Sequence, residues 1–156
     1  MMTMQRLDFD FIKFKTISEG WNLYELEDKS VIKAKVLVIS VVSYKKKPED
    51  KRIPDLGVNL EVVTGVESYP GVRGEPSEET YTIEQLNSFV EKGKADMKIT
   101  SIRDEWNGYE LPDGTKLYLK NAITRVGRTS KFDKIGNPMY VMQNSILQKS
   151  IPKGFS

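Results

Sequence analysis

The sequence predicts a mainly β fold, with internally duplicated antiparallel meanders forming one or two small barrels and a single helix between the copies. Three observations predict it. One stretch occurs twice: Trp21 to Val41 reads WNLYELEDKSVIKAKVLVISV, and Trp106 to Val126 reads WNGYELPDGTKLYLKNAITRV. An ungapped offset of 85 positions lays Trp21 on Trp106, Asn22 on Asn107, Tyr24 on Tyr109, Glu25 on Glu110 and Leu26 on Leu111. It also lays Asp28 on Asp113, Lys35 on Lys120 and Val41 on Val126, and upstream Lys13 on Lys98 and Ile17 on Ile102. Self-similarity of that density is the mark of a repeated structural unit. The second observation is period-two alternation inside both copies, and the third is a single helical pattern between them. Together they divide the chain, expected to be one compact unit over 1–156, into a first β repeat (9–70), an acidic linker with a helix (71–94) and a second β repeat (95–156).

Residues 1–7 read as a loose end. Ile12 and Phe14 then point one way and Lys13 and Lys15 the other, a strand pattern that Met97, Lys98 and Ile99 repeat. Polar turns follow at Ser18 to Gly20 and at Arg103 to Glu105. In the repeated hairpin, Asn22, Tyr24 and Leu26 share one face, and so do Asn107, Tyr109 and Leu111. The second copy turns on Pro112-Asp113-Gly114-Thr115, which supplies a preset φ, a side-chain acceptor and a residue free to take positive φ. The first copy has Glu27-Asp28-Lys29-Ser30, and a left-handed lysine there costs about 1 kcal/mol against glycine. A turn one residue wider is therefore expected in that copy.

The return strands begin with Ile32 and Ala34 in one copy and Leu117 and Leu119 in the other. Past Lys35 and Lys120 the shared apolar positions move to Leu37/Ala122 and Val41/Val126, on the opposite face. A face switch at one place in both copies predicts a β-bulge, the device by which barrels bend to close. Val36 to Val42 is apolar almost throughout and predicts burial on both faces. After polar loops, third strands run from Val58 to Val66 and from Met139 to Leu147, for six to eight strands in all. The helix is expected over 83–92. Thr82 caps it with Gln85 in a capping box, Tyr81 and Leu86 occupy the staple positions, and Ile83, Leu86 and Val90 form its apolar stripe beside Phe89.

Composition excludes more function than it assigns. The 156 residues contain no cysteine and no histidine. This removes disulfides, thiolate and imidazole metal sites, and histidine-activated nucleophiles. No cofactor is expected, and no metal either: Asp8 and Asp10 share a strand face without a third ligand. The start lacks a cleavable signal pattern, and no apolar run is long enough to span a bilayer, so a cytoplasmic location is expected. The net charge of +2 is uneven. Residues 1–60 carry 11 basic and 9 acidic side chains, residues 61–93 carry 2 and 7, and residues 94–156 carry 11 and 6. An acidic middle and a basic end either face a polyanion or attract each other within the fold.

Residues kept in both copies are the candidate site. As framework, Trp, Asn, Asp, Glu and Lys at these positions plug an end, cap turns and pair across the hairpin. As a binding surface, Trp21 with Glu25, and Trp106 with Glu110, present an aromatic beside a carboxylate twice, for a peptide, a sugar or a cation. As a carboxylate-pair enzyme, Glu25 and Glu110 would have to meet across the dyad. A separate basic set, Lys45, Lys46, Lys47, Arg125, Arg128 and Lys131 with Phe132, suits single-stranded nucleic acid. The reading adopted is a non-enzymatic binding or scaffolding module whose partner is a protein, including a second copy of itself; nucleic-acid binding and acid/base catalysis are the alternatives.

Overall fold

The period-two segments of the sequence form nine strands in the computed structural model, which describes residues 8–52 and 54–154. The stretch 1–7, expected as a loose end, lies outside the described residues. The strands are β1 (Phe9–Ile12), β2 (Lys15–Ser18), β3 (Asn22–Leu26), β4 (Val31–Tyr44), β5 (Leu56–Glu67), β6 (Ile99–Arg103), β7 (Asn107–Glu110), β8 (Lys116–Phe132) and β9 (Pro138–Ile151). One sheet has the order β1-β4-β3-β6, with β5 on β4, and the other the order β2-β7-β8-β9. Neither sheet closes on itself, so the expected barrels are corrected to two open antiparallel sheets. The reason lies in the leading strand. It breaks after Ile12 into β1 and β2, and the two pieces serve different sheets.

β1 pairs with the far end of its own long strand, Ile12 opposite Val41. The chain then crosses at Lys13 and Phe14, and β2 pairs with β7 of the second half, Lys15 opposite Glu110 and Thr16 opposite Tyr109. The second half does the same in return. Met97 N–H donates to the Val126 carbonyl at 2.9 Å, after which β6 crosses to β3, with Thr100 opposite Glu25 and Ser101 opposite Tyr24. These registers coincide at the offset of 85 seen in the sequence, down to the irregularities between Thr16 and Ser18 and between Leu23 and Tyr24. The hairpins coincide too: Asn22 faces Ala34, and Asn107 faces Leu119.

Each long strand does carry a bulge, between Val38 and Ser40 against β5 and between Ile123 and Arg125 against β9. It comes later than the switch expected past Lys35 and Lys120: Val36, Asn121 and Ile123 stay on the first buried face, and Leu37 and Ala122 are only half-buried. Ahead of it Ile32, Ala34 and Val36 are buried, and after it Val41 is. The expected burial of Val36 to Val42 on both faces does not hold. The bulge turns Ile39 outward, 53% exposed, and leaves only Val36 and Val41 fully buried, with Val38 packed partly buried against them. Strand bending here serves the core and not closure. One apolar cluster joins Tyr24, Leu26, Ile32 and Ala34 of the first hairpin to Met97, Ile123 and Val126 of the second half. The other joins Tyr109, Leu111, Leu117 and Leu119 of the second hairpin to Val36 and Val41 of the first. A buried aliphatic side chain contributes about 1.5–3 kcal/mol, so each cluster depends on residues from both halves.

The linker docks on the second half. Gly74 N–H donates to the Gly136 carbonyl and Ser77 N–H to the Asp133 carbonyl, both at 3.0 Å. A Cβ at Gly74 would collide with the Phe132 ring, so glycine is what lets the strap lie flat there. The helix α1 (Ile83–Ser88) starts with the expected capping box, Thr82 with Gln85. It ends four residues before the predicted Lys92. Phe89 and Glu91 are recruited by β8 instead: Ser130 N–H donates to the Phe89 carbonyl, and Glu91 N–H to the Arg128 carbonyl, each at 2.9 Å. The predicted apolar stripe is also corrected at Ile83, which is 63% exposed. Tyr81 packs edge-on against Phe89 at 5.5 Å between ring centres.

The two hairpin turns are equal in width, which corrects the wider turn expected for the first copy. Leu26 N–H donates to the Ser30 carbonyl and Leu111 N–H to the Thr115 carbonyl, both at 2.8 Å. Asp28 and Asp113 each accept the N–H two residues on, at 2.9 Å. Lys29 therefore takes φ 70° where Gly114 takes φ 89°, and its ammonium lies 5.1 Å from the centre of the Tyr69 ring. The cation–π contact offsets part of the backbone strain. Replacing Lys29 with Gly is expected to raise stability by about 0.5 kcal/mol in denaturant unfolding. A loss of stability would mean that the Tyr69 contact outweighs the strain.

Candidate functional site

The residues kept in both copies assemble into two clusters, and each cluster draws on both halves. In the first, the Tyr24 hydroxyl sits 3.2 Å from both Asp104 Oδ1 and the Asn121 carbonyl. Lys120 Nζ lies 3.4 Å from Asp104 Oδ2 and 5.0 Å from the centre of the Trp106 ring, with Lys149 at 4.4 Å from the same centre. In the second, the Tyr109 hydroxyl donates to Glu19 Oε2 at 2.7 Å. Lys35 Nζ lies 3.9 Å from Glu19 Oε1 and 5.7 Å from the centre of the Trp21 ring, with Lys33 at 4.8 Å. Tyrosine, acid, lysine and tryptophan thus follow one another twice, at the strand crossings.

The asparagines lock the same crossings. Asn22 donates through Nδ2 to the Glu105 carbonyl and accepts the Glu105 N–H, both at 2.9 Å. Asn107 accepts the Gly20 N–H at 3.1 Å and donates to the buried Val36 carbonyl at 3.0 Å. The Gly20 and Glu105 groups lie outside any strand at the crossings and find their partners in these side chains. The acids of the clusters, Glu19 and Asp104, were missed because they are not identical. The signal was present, since both are carboxylates at the same offset of 85.

The predicted site residues separate accordingly. Trp21 and Trp106 are half-buried, each beneath two of the chain's own lysines. Glu25 is exposed on β3 of one sheet, while Glu110 is half-buried on β7 of the other, opposite Lys15 and Lys116. Glu110 lines a surface cleft with Lys13, Lys15 and Lys116, and Glu25 is not part of it. The basic set is likewise divided between the sheets. Lys45 and Lys46 follow β4 and pair with Asp10 at 3.6 Å and Asp55 at 2.9 Å; Lys47 beside them is exposed. On β8, Arg125 Nε donates to the Ala95 carbonyl at 3.2 Å, and Lys131 lies 4.4 Å from the centre of the Phe89 ring. Phe132 is covered by Gly74.

Arg128 is the most committed of the basic residues. It reaches Glu91 Oε2 at 3.0 Å and Asp28 Oδ2 at 3.3 Å, joining the acidic linker and the first hairpin turn. Tyr140 donates to the same Asp28 oxygen at 2.7 Å and meets Ser30 Oγ at 3.1 Å. Ser30 Oγ in turn accepts the Tyr69 N–H at 3.0 Å. The Asp28 side chain is 3% exposed. Burial alone would raise its pKa, but bonds from Tyr140, Ser30 and Arg128 hold it below the usual carboxylate range. Burial, then Asp104, pushes the Tyr24 phenol up to about 12. Burial and Glu19 push Tyr109 further up, and burial together with Asp28 does the same to Tyr140. Among the described residues no group of three or more acids is arranged to hold a metal ion, and no helix is long and apolar enough to cross a membrane.

Replacing Asp28 with Ala is expected to cost about 2 kcal/mol, less than breaking a fully buried pair because Arg128 keeps Glu91. Asp113→Ala, which removes only an exposed turn cap, is expected to cost clearly less. Paired denaturant curves read the contrast, and equal losses would show that the Arg128 contact contributes nothing. A lowered folded pKa means that the Asp28 contribution is present above about pH 4 and is lost as pH falls through the folded value. Wild type should therefore lose more stability between pH 5 and pH 2 than Asp28→Asn does. The tyrosines have the opposite sign. Their raised pKa gives a contribution that is full below about pH 10 and fades as pH rises towards 12. Ultraviolet titration should find Tyr24, Tyr109 and Tyr140 still un-ionised at pH 11 while the fold persists; their ionisation near pH 10 in the folded protein would contradict the buried bonds. No protein-family model, no curated protein and no solved structure matches the chain.

Proposed function

We propose that the chain arose by duplication of one β unit and acts as a non-enzymatic binding or scaffolding module, whose partner is another polypeptide, including a second copy of itself. The observation that carries this reading is the pair of long free strand edges. β5 and β9 span 12 and 14 residues and end their sheets, with no strand on their outer sides among the described residues. Natural edges of that length are usually blunted by charges, prolines or short strands. Here β9 carries one lysine and no proline after its first residue, and β5 carries two glutamates and no proline. Val63 on β5, with Ile146 and Leu147 on β9, is exposed beside those edges. An incoming strand would gain main-chain hydrogen bonds along the edge and side-chain contacts on both faces.

The placement of the basic and acidic candidates weighs against the alternatives. Lys45, Lys46, Arg128 and Lys131 already meet acids or aromatic rings of the chain, which leaves less charge for a nucleic-acid backbone. Glu25 and Glu110 stand in different sheets, which disfavours a shared acid/base pair.

Size-exclusion chromatography with light scattering tests the self-association arm. The protein is expected to form a dimer or larger species as concentration rises. The Ile146→Lys, Leu147→Lys double variant should weaken that association by about tenfold or more. A monomer at every concentration removes self-association, and unchanged association of the variant removes β9 as the contact.

A further inference from the structure

The first hairpin turn is filled over its aspartate; the second carries Lys153 along Gly114 but is open over Asp113. At the first turn, Asp28 and Ser30 meet Arg128 and Tyr140, which are register partners on β8 and β9. The equivalents at the second turn are Asp113 and Thr115, facing Ser43 and Leu56, which are register partners on β4 and β5. Serine and leucine thus replace arginine and tyrosine. These four equivalents line one surface cavity of about 730 Å³, together with Asp55, Pro112 and others. The lining contains two aspartates and no lysine or arginine; Asp55 is engaged by Lys46 at 2.9 Å. Asp113 is oriented as Asp28 is, with its Oδ1 accepting the Thr115 N–H at 2.9 Å. No cation or phenol among the described residues bonds its carboxylate, where Asp28 holds both.

We propose that this cavity binds a guanidinium group, with Asp113 as its anion. The first turn supplies the template: a guanidinium nitrogen 3.3 Å from the outer aspartate oxygen, over the pair of β strands that faces the turn. A guanidinium suits the place better than an ammonium because its fixed planar donors can bond Asp113 while its flat face lies on Leu56 and Pro112. The group arrives on a small cation or on an arginine side chain. The site does not depend on the strand-edge reading, since a soluble ligand can fill it in a monomer.

The test titrates Nα-acetyl-L-arginine amide, its lysine counterpart and methylguanidinium into the full chain, followed by backbone amide shifts. The arginine amide should shift Ser43, Leu56, Asp113 and Thr115 and bind about tenfold tighter than the lysine amide. Asp113→Asn should weaken it by about tenfold. Equal binding by methylguanidinium assigns the site to the head group alone, and weaker binding by methylguanidinium assigns it to a side chain; both support the proposal. A second variant needs no ligand. Ser43→Arg with Leu56→Tyr rebuilds the first turn's filling, so it should raise Tm and abolish arginine-amide binding, and adding Asp113→Asn should cancel the gain. Equal binding of the arginine and lysine amides, or arginine-amide binding insensitive to Asp113→Asn, overturns the proposal.

Discussion

The structure depends on an exchange of leading strands. β2 leaves the first half to extend the second hairpin, and β6 leaves the second half to extend the first. Each three-stranded unit β4-β3-β6 or β8-β7-β2 is completed by a strand from the other half. The exchange also decides the core, because the bulged ends of β4 and β8 follow their leading segments across and deliver Val41 and Val126 to the opposite cluster. Two small β meanders would each struggle to bury enough apolar surface alone. Trading strands gives each apolar cluster residues from both halves.

The exchange creates a polar problem at each crossing, and the twice-kept residues answer it. Chain leaving one sheet for another carries backbone groups that no ladder satisfies. Asn22 and Asn107 take up those groups, while Tyr24 and Tyr109 reach from the buried hairpins to Asp104 and Glu19 at the crossing loops. Lysines 35 and 120 bridge the same acids to the tryptophans. Partly exposed, each such pair is worth about 1 kcal/mol or less; what they add is register, since a slip of one residue would separate every member.

This explains what was legible in the sequence. The hairpin faces and the capping box were local patterns, and they stand in the structure, as does a bulge in each long strand, though later than the sequence placed it. Barrel closure was misread because the sequence shows that Val41 changes face but not whose core it enters. The exchange is invisible locally, since Lys15 and Thr100 have the same alternation whichever hairpin they join. The helix was drawn too long for a similar reason: Phe89 to Glu91 keep a helical pattern, and the carbonyl of Arg128 and the N–H of Ser130, distant in sequence, claim them. Identity between copies singled out Trp21, Asn22 and Lys35, which meet at a crossing, but Arg128 and Tyr140 could not be reached that way, because their counterparts are Ser43 and Leu56.

That last difference bears on where function resides. Twofold likeness holds at the crossings, where exchange forces both copies to solve one packing problem. It holds within the hairpin turns too, but fails in what faces them: Arg128 and Tyr140 at one, Ser43 and Leu56 at the other. One tip has closed over Asp28 with arginine, tyrosine and the acidic linker, so its aspartate is spent on stability. The other carries the same aspartate on the same turn, facing small and apolar side chains. The open tip lacks that filling, and the guanidinium site proposed above would place a ligand where the first tip holds Arg128.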